Sequence, residues 1–411
     1  MNSLRPRQIF STRALIMTCG LCAAPAGVAM AQSVDIHGFA SQGYLYSTDN
    51  NFLAHSEGGS AEFNEFALNF SSDLTESLRV GMQIYSRDLG PLDNNKIILD
   101  WAYGDYRVND AFGVRFGRMK TPYGLYNEVL DLDAVRPTAF LPQSVYPLNY
   151  RDFLLAFNGA VAYGHLETGP VGSWDYQAGG GYNVLPVDGS LSGTFGQPLS
   201  DADNKWTLVA ALRWNTPIEG LRLSGTLTGY ESRLAFQVPL ETRLALQAQG
   251  LPADQIPREL ALHYDPIFFY VASAEYTVGN LVLAAEYKRW RGDASSSNEM
   301  MLPAVTTNLE GFYVQASYRW SDLLETSAYI SFDFDDTGDR DGKKREAEGE
   351  EDYTAYTREA ALAFRFDLND YWLFKLEGHY LQGTSFLTSQ LNNDDPVKNW
   401  ALFVARTTVT F

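Results

Sequence analysis

The sequence predicts an all-β protein, a transmembrane antiparallel β-barrel of sixteen strands with long external loops and short periplasmic turns. Three observations carry that reading. Apolar and polar residues alternate with period two, which gives a strand two unlike faces. The apolar face of several segments begins and ends in an aromatic residue. Connections alternate between short and long along the chain.

The segment Lys205 to Trp214 shows the alternation best: Trp206, Leu208, Ala210, Leu212 and Trp214 oppose Lys205, Thr207, Val209, Ala211 and Arg213. Phe312 to Trp320 and Trp372 to Tyr380 repeat it, as do Phe66, Leu68 and Phe70 against Glu65 and Asn69. Eight residues at ~3.3 Å each, tilted by ~40°, cover roughly 20 Å along a membrane normal, close to the apolar band between two aromatic girdles. The opposite faces carry Lys, Arg, Glu and Asp at mid-strand. A dry core has to pair or neutralise each such charge, whereas a water-filled lumen does not.

Short turns fall near 71–73, 109–110, 168–170, 216–217, 278–280, 321–322 and 367–370. Long polar stretches fall near 47–61, 88–95, 121–156, 184–203, 231–265, 291–308, 335–352 and 382–398. Seven turns and eight loops separate sixteen strands, and an even count puts both termini on one side. The first strand, about 34–46, is the least regular, so fourteen or eighteen strands are the alternatives. Within the loop 231–265, the segment 241–262 reads as one or two short helices.

Residues 1–31 read as a secretory signal peptide, leaving 32–411 as the barrel. Arg5, Arg7 and Arg13 form the positive region, Ala14 to Ala24 the apolar one, and Ala29-Met30-Ala31 the small-residue cleavage site. Both cysteines, Cys19 and Cys22, leave with it, and the formal net charge moves from −19 to −22. That charge argues against a nucleic-acid partner held through a basic surface. With 24 Phe, 24 Tyr and 8 Trp the chain is not disordered, and residues 32–411 hold no apolar run long enough for a membrane helix. The last strand ends Phe403, Ala405, Thr407, Val409, Phe411 on one face, and a terminal phenylalanine here is the expected assembly signal read by the barrel-assembly machinery.

The whole pattern resembles a Gram-negative outer-membrane porin of the sixteen-stranded type. The most specific element, Gly117-Arg118-Met119-Lys120-Thr121-Pro122-Tyr123-Gly124, is similar to the G-R-x-K-x-P-x-G element of the phosphate-selective porin group. The resemblance implies passive diffusion of small hydrophilic solutes or ions, no cofactor, lipid and lipopolysaccharide as surroundings, and a homotrimer as an open oligomeric state. It also implies that the third long loop, 121–156, folds into the barrel and narrows it. The resemblance to the phosphate-selective group stops at specificity, because the dense basic ladders of anion-selective members have no counterpart as an arginine-rich tract here.

A pore selects by the charge and width of its narrowest ring. The constriction candidates are Arg115, Lys120, Glu128, Asp131, Asp133, Arg136 and Arg151, with Tyr146, Tyr150 and Phe140 shaping the walls. Strand parity directs Glu65, Lys205, Arg213, Arg319, Arg365, Lys375 and Glu377 into the lumen. Asp339-Arg340-Asp341-Gly342 is similar to part of a calcium loop, but Lys343-Lys344-Arg345 beside it repels a cation, so a solvated external loop is expected. No hydrolase or nucleotide motif is present, and the histidines His37, His55, His165, His263 and His379 are scattered. A barrel enzyme, such as a lipase or protease, and a closed structural or adhesin barrel are the competing functional readings.

Overall fold

The computed structural model describes residues 33–187, 199–388, 391–392 and 396–411; the expected signal peptide lies outside them. The strands are β1 (Asp35–Ser47), β2 (Asn64–Asp73), β3 (Leu78–Asp88), β4 (Ile98–Asn109), β5 (Phe112–Lys120), β6 (Ala156–Glu167), β7 (Ser173–Tyr182), β8 (Leu199–Asn215) and β9 (Leu221–Gln237). They continue as β10 (Glu259–Val278), β11 (Leu281–Ser296), β12 (Val305–Thr307), β13 (Glu310–Arg319), β14 (Leu324–Phe334), β15 (Tyr356–Asn369), β16 (Trp372–Gly383) and β17 (Asn399–Thr410). Each pairs antiparallel with its neighbours, and β17 returns to β1 with Ala40 opposite Val409, so the sheet has no free edge. The three-residue β12 and the longer β13 both pair with β11, one above the other, so they form a single interrupted stave and the wall has sixteen.

Alternation sorts the side chains. Leu208, Leu212, Tyr270, Val314, Ile330, Leu362, Leu376 and Phe403 face outward and are exposed, as a lipid-facing surface requires. Inward neighbours such as Lys375, Glu377, His379 and Arg406 are buried. A Lys or Arg on the lipid side at mid-bilayer costs about 2–4 kcal/mol, so parity is enforced by energy as well as by geometry. Phe411 lies on the outer face, and its backbone exchanges hydrogen bonds of 2.9 and 3.0 Å with Gly38, the last rung of the closing seam.

Two irregularities change what parity alone gives. A register shift opposite Gln83 and Ile84 turns both Asp100 and Trp101 inward. Another, between Asn204 and Trp206, turns Asn204 inward, where it bonds Thr207 and Ser232, and sends Lys205 outward. Lys205 therefore does not line the lumen. It pairs with Glu231, whose other oxygen accepts a 2.6 Å bond from the Trp206 indole. The expected loop 231–265 is also shorter, because β9 and β10 rise to Gln237 and Glu259; one helix, Leu240–Ala248, is present, and residues 259–262 are strand.

The facing is testable with single cysteines in the otherwise cysteine-free barrel. Arg213→Cys should react with a membrane-impermeant thiol reagent and Leu212→Cys should not. Labelling of position 212 with sparing of 213 means that the register of β8 is wrong by one residue.

Candidate functional site

The loop 121–156 leaves β5 and crosses the lumen to the opposite wall. Its entry explains the sequence motif. Gly117 has φ +129°, and a Cβ there collides with the Ala102 carbonyl oxygen of β4, so the strand twists only with glycine. Gly124 has φ +60° and packs against the Tyr146 hydroxyl and Glu286 of β11, which leaves no room for a side chain. Between them Lys120 donates to Asp100 at 2.8 Å and pairs with Asp131. Arg151, near the loop's end, closes the same cluster with Asp131 at 2.8 Å and Asp100 at 3.3 Å, its guanidinium 4.4 Å from the Tyr85 ring. Burial alone raises the Asp131 carboxyl, but Arg151 and Lys120 beside it outweigh burial and hold it well below the usual carboxylate range.

At the far wall the anchor is Asp133. Lys375 of β16 donates to its carboxylate and to its carbonyl oxygen, both at 2.7 Å, and Thr408 of β17 donates at 2.7 Å. Arg136 and Arg406 complete the cage at 3.2 and 3.6 Å, and Arg406 also pairs with Glu65 of β2. Here too burial pushes the carboxyl upward, and Arg406, Lys375 and Arg136 pull it far below its ordinary value. The backbone is held as well: Arg365 donates to the Ala134 and Arg136 carbonyls at 2.6 and 3.2 Å, and Glu377 accepts from the Ala139 amide at 2.6 Å. Phe140 stacks on Phe63 at 4.9 Å and meets Phe52 edge-on.

A buried carboxylate on the wall works in the reverse sense. Glu286, on the wall, accepts four bonds, from Ser273 (2.6 Å), Tyr313 (2.7 Å), the loop's Tyr146 hydroxyl (2.5 Å) and the Leu125 amide (2.9 Å). Tyr123 bonds the Trp290 indole at 3.0 Å, Tyr150 meets Trp290 edge-on, and Phe153 packs on Tyr230 and Phe269. The loop is thus bound around nearly the whole circumference.

What stays open lies along the β2–β8 wall. A cavity of ≈ 560 Å³ is lined by Arg79, Arg107, Arg115, Arg213, Asp105 and Asp175, among others. Above it, a cavity of ≈ 170 Å³ is lined by Arg115, Lys120, Glu128, Asp131 and Gln177. Arg115 and Gln177 belong to both. Arg115 pairs with Asp105 at 2.8 Å and lies 4.4 Å from the Tyr163 ring, and Gln177 donates to Glu128 at 3.3 Å.

The expected constriction residues therefore divide. Arg115, Lys120, Glu128 and Asp131 border the open path. Asp133, Arg136, Arg151 and Tyr146 are buried fasteners that line neither cavity of this wall, and Phe140 is a packed core ring. Tyr150 lines cavities on the opposite side of the loop. Of the inward-directed set, Arg213 lines the path, Arg319 pairs with Glu325 and Asp367, and Glu65, Arg365, Lys375 and Glu377 hold the loop or its anchors. Sequence reasoning missed Asp100, Glu286 and Arg406. The last two carry a parity signal, as inward charges between Ala284 and Lys288 and between Val404 and Thr408. It also missed that Arg79, Arg107 and Arg222 join Arg115, Arg213, Arg319 and Arg365, which parity directs inward, and that all seven enter the lumen from strand ends near the periplasmic turns. Most have carboxylate partners, so the lumen is densely ionic without being uniformly basic. Among the described residues no group of His, Cys, Asp and Glu is placed to hold a metal; the Asp339 carboxylate instead accepts from the Lys344 amide.

Comparison with known proteins gives the same fold. The chain is similar to an anion-selective porin from Comamonas acidovorans, with a TM-score of 0.57 at 12% identity, covering 92% of this chain and 100% of that one. It is similar to outer-membrane expressed OmpT of Vibrio cholerae, with a TM-score of 0.57 at 11% identity, covering 93% and 98%. OprB of Pseudomonas putida gives 0.55 at 13% identity, covering 92% and 94%. At these identities the likeness concerns the fold. No curated protein sequence matches. The family model of Gram-negative porins matches residues 14–340, and the chain belongs to that family of outer-membrane diffusion channels.

Proposed function

We propose that small hydrophilic solutes and ions cross this porin along the β2–β8 wall, through a gap whose charged edges are Arg115 and Glu128. The observation that supports this is the pair of adjoining cavities on the β2–β8 wall, which share Arg115 and Gln177. Fixed charges act most strongly where the cross-section is narrow and the walls have a low dielectric constant. Asp133 and Arg136 are neutralised at close range, so they set the shape of the gap, and Arg115, Arg213 and Glu128 set its field. We read the chain as a channel without catalytic chemistry. His379, hydrogen-bonded to Glu359 at 2.7 Å, is buried under the loop and lines no described cavity. Residues 1–31 serve as a cleaved signal peptide, and Phe411 serves the assembly machinery. Lipid and lipopolysaccharide surround the barrel, and a homotrimer is its assembled form.

Four measurements test this reading. In single-channel recordings across a salt gradient, Glu128→Gln should move the reversal potential toward anion preference and Arg115→Gln toward cation preference. Identical potentials in both variants and wild type place the selective charges elsewhere. Lys375→Met leaves Asp133 short of one cation; breaking a buried pair costs about 3–5 kcal/mol, here charged to the loop's attachment. Rising current noise and protease cleavage within 121–156 are expected, with the barrel still resistant to heat in detergent. The pH dependence has a definite sign. Asp131 and Asp133 are depressed, so their anchoring is complete above the ordinary carboxylate range and fails only as pH falls through their lowered values. Quiet channels are expected from pH 8 to about pH 4; noise that sets in near pH 6 contradicts the assignment. Finally, deletion of Phe411 should lower outer-membrane levels while export continues, and normal levels exclude it as the signal.

A further inference from the structure

On the other side of the loop, the upper inner wall of β9–β11 forms a cavity of ≈ 290 Å³ that the diffusion path does not use. These strands have 17, 20 and 16 residues, well beyond the 9–11 a bilayer crossing needs, so their upper parts stand in the external vestibule. We propose that this cavity is a binding site for a monocyclic aromatic carboxylate, with the ring among Tyr150, Phe153, Tyr264, Phe269 and Trp290 and the carboxylate on Arg345.

Shape, lining and charge converge on that class. The five aromatic side chains all border the cavity, together with Leu234, Ile267 and Leu309. Trp290 meets Tyr150 at 5.2 Å and 89° and Phe269 at 4.8 Å and 75°, an edge-to-face arrangement that a further ring extends. A cavity of about 150 Å³ holds benzene, so this one holds a single ring with a short substituent. The charged groups on its lining are Asp335 and Arg345, 3.1 Å apart. Neighbouring Asp333 is already engaged by Lys288 at 2.9 Å and by Ser385; the Arg345 guanidinium also donates to Thr354 at 3.2 Å, and its backbone amide to Asp339 at 3.3 Å. Burial, and then the nearby Asp333 charge, push the Asp335 carboxyl up to about 7. Near neutrality this partner is half protonated, whereas the guanidinium stays charged, so the rim is cationic on average. An arriving carboxylate takes over the guanidinium from Asp335 with a charge-assisted bond, and an ammonium group is repelled. Tyr150 and Tyr264, the other titratable groups lining the cavity, are neutral phenols at pH 7.

As an outer capture point the site rests on the diffusion reading, but binding itself does not require conduction. The test is saturation-transfer NMR on the full-length protein in detergent at pH 7, with benzoate, acetate and benzylamine as probes. Benzoate should bind, and acetate and benzylamine should not. Arg345→Gln, in an exposed loop, should weaken benzoate by about tenfold or more, and Thr306→Trp, which fills the cavity from its rim, should abolish the signal. Benzylamine binding as well as benzoate, or an Arg345→Gln variant with unchanged benzoate affinity, overturns the proposal. Planar-bilayer recordings on the same preparation separate the two readings. Conduction without benzoate binding removes the site and keeps the channel; binding without conduction keeps the site and removes the channel.

Discussion

The architecture depends on Asp133, one carboxylate held in the middle of a barrel by four cationic or hydroxylic partners from the loop itself and two strands. Placing an ion in a low-dielectric interior costs several kcal/mol, and its partners recover that cost only with near-ideal geometry. Such clusters are poor evidence for net stability. Their value is uniqueness: Lys375 reaches both the carboxylate and the carbonyl oxygen of the same residue, which one loop position alone satisfies. Glu286 acts as the mirror image, a wall carboxylate that collects donors from the loop. Together they turn a 35-residue connection (121–155) into a rigid partition.

That rigidity gives the channel its handedness across the lumen. The loop is fastened to β3 and β4 as well as to β11, β16 and β17, and the proposed path runs through the adjoining cavities of the β2–β8 wall, where inward arginines and carboxylates alternate. The strongly negative net charge of the chain says little about this path. Many of its acids, such as Asp336, Asp341 and Glu348, stand on the external loop after β14 and line neither cavity of this wall, and exposed charges are screened over ~8–10 Å at 0.1–0.15 M salt.

Much of this was legible in the alternation of the sequence. Period two and the aromatic ends identify the staves, and parity places Arg213, Arg319, Arg365 and Lys375 inward without any coordinates. Parity failed at Lys205 because a bulge adds one residue to one strand and not to its neighbour, and nothing local marks it. The roles of Asp133 and Arg151 were invisible for a different reason. A charge in a loop reads as a field source until its partners are known, and those partners, Lys375 and Asp100, are distant in sequence. The G-R-x-K-x-P-x-G element was visible as a pattern, but its cause is steric and needs the Ala102 carbonyl and Tyr146 to be seen.

The separation of the Asp133 contacts has a consequence for the order of events. Lys375 and Thr408 lie 242 and 275 residues further along the chain, on the last two strands. Loop closure over such distances is slow and entropically costly. The partition therefore cannot lock while the cylinder is open, and an incompletely zipped chain keeps Asp133, Arg406 and Lys375 exposed and unpaired. The Asp133 cage therefore closes only after the last two strands are in place.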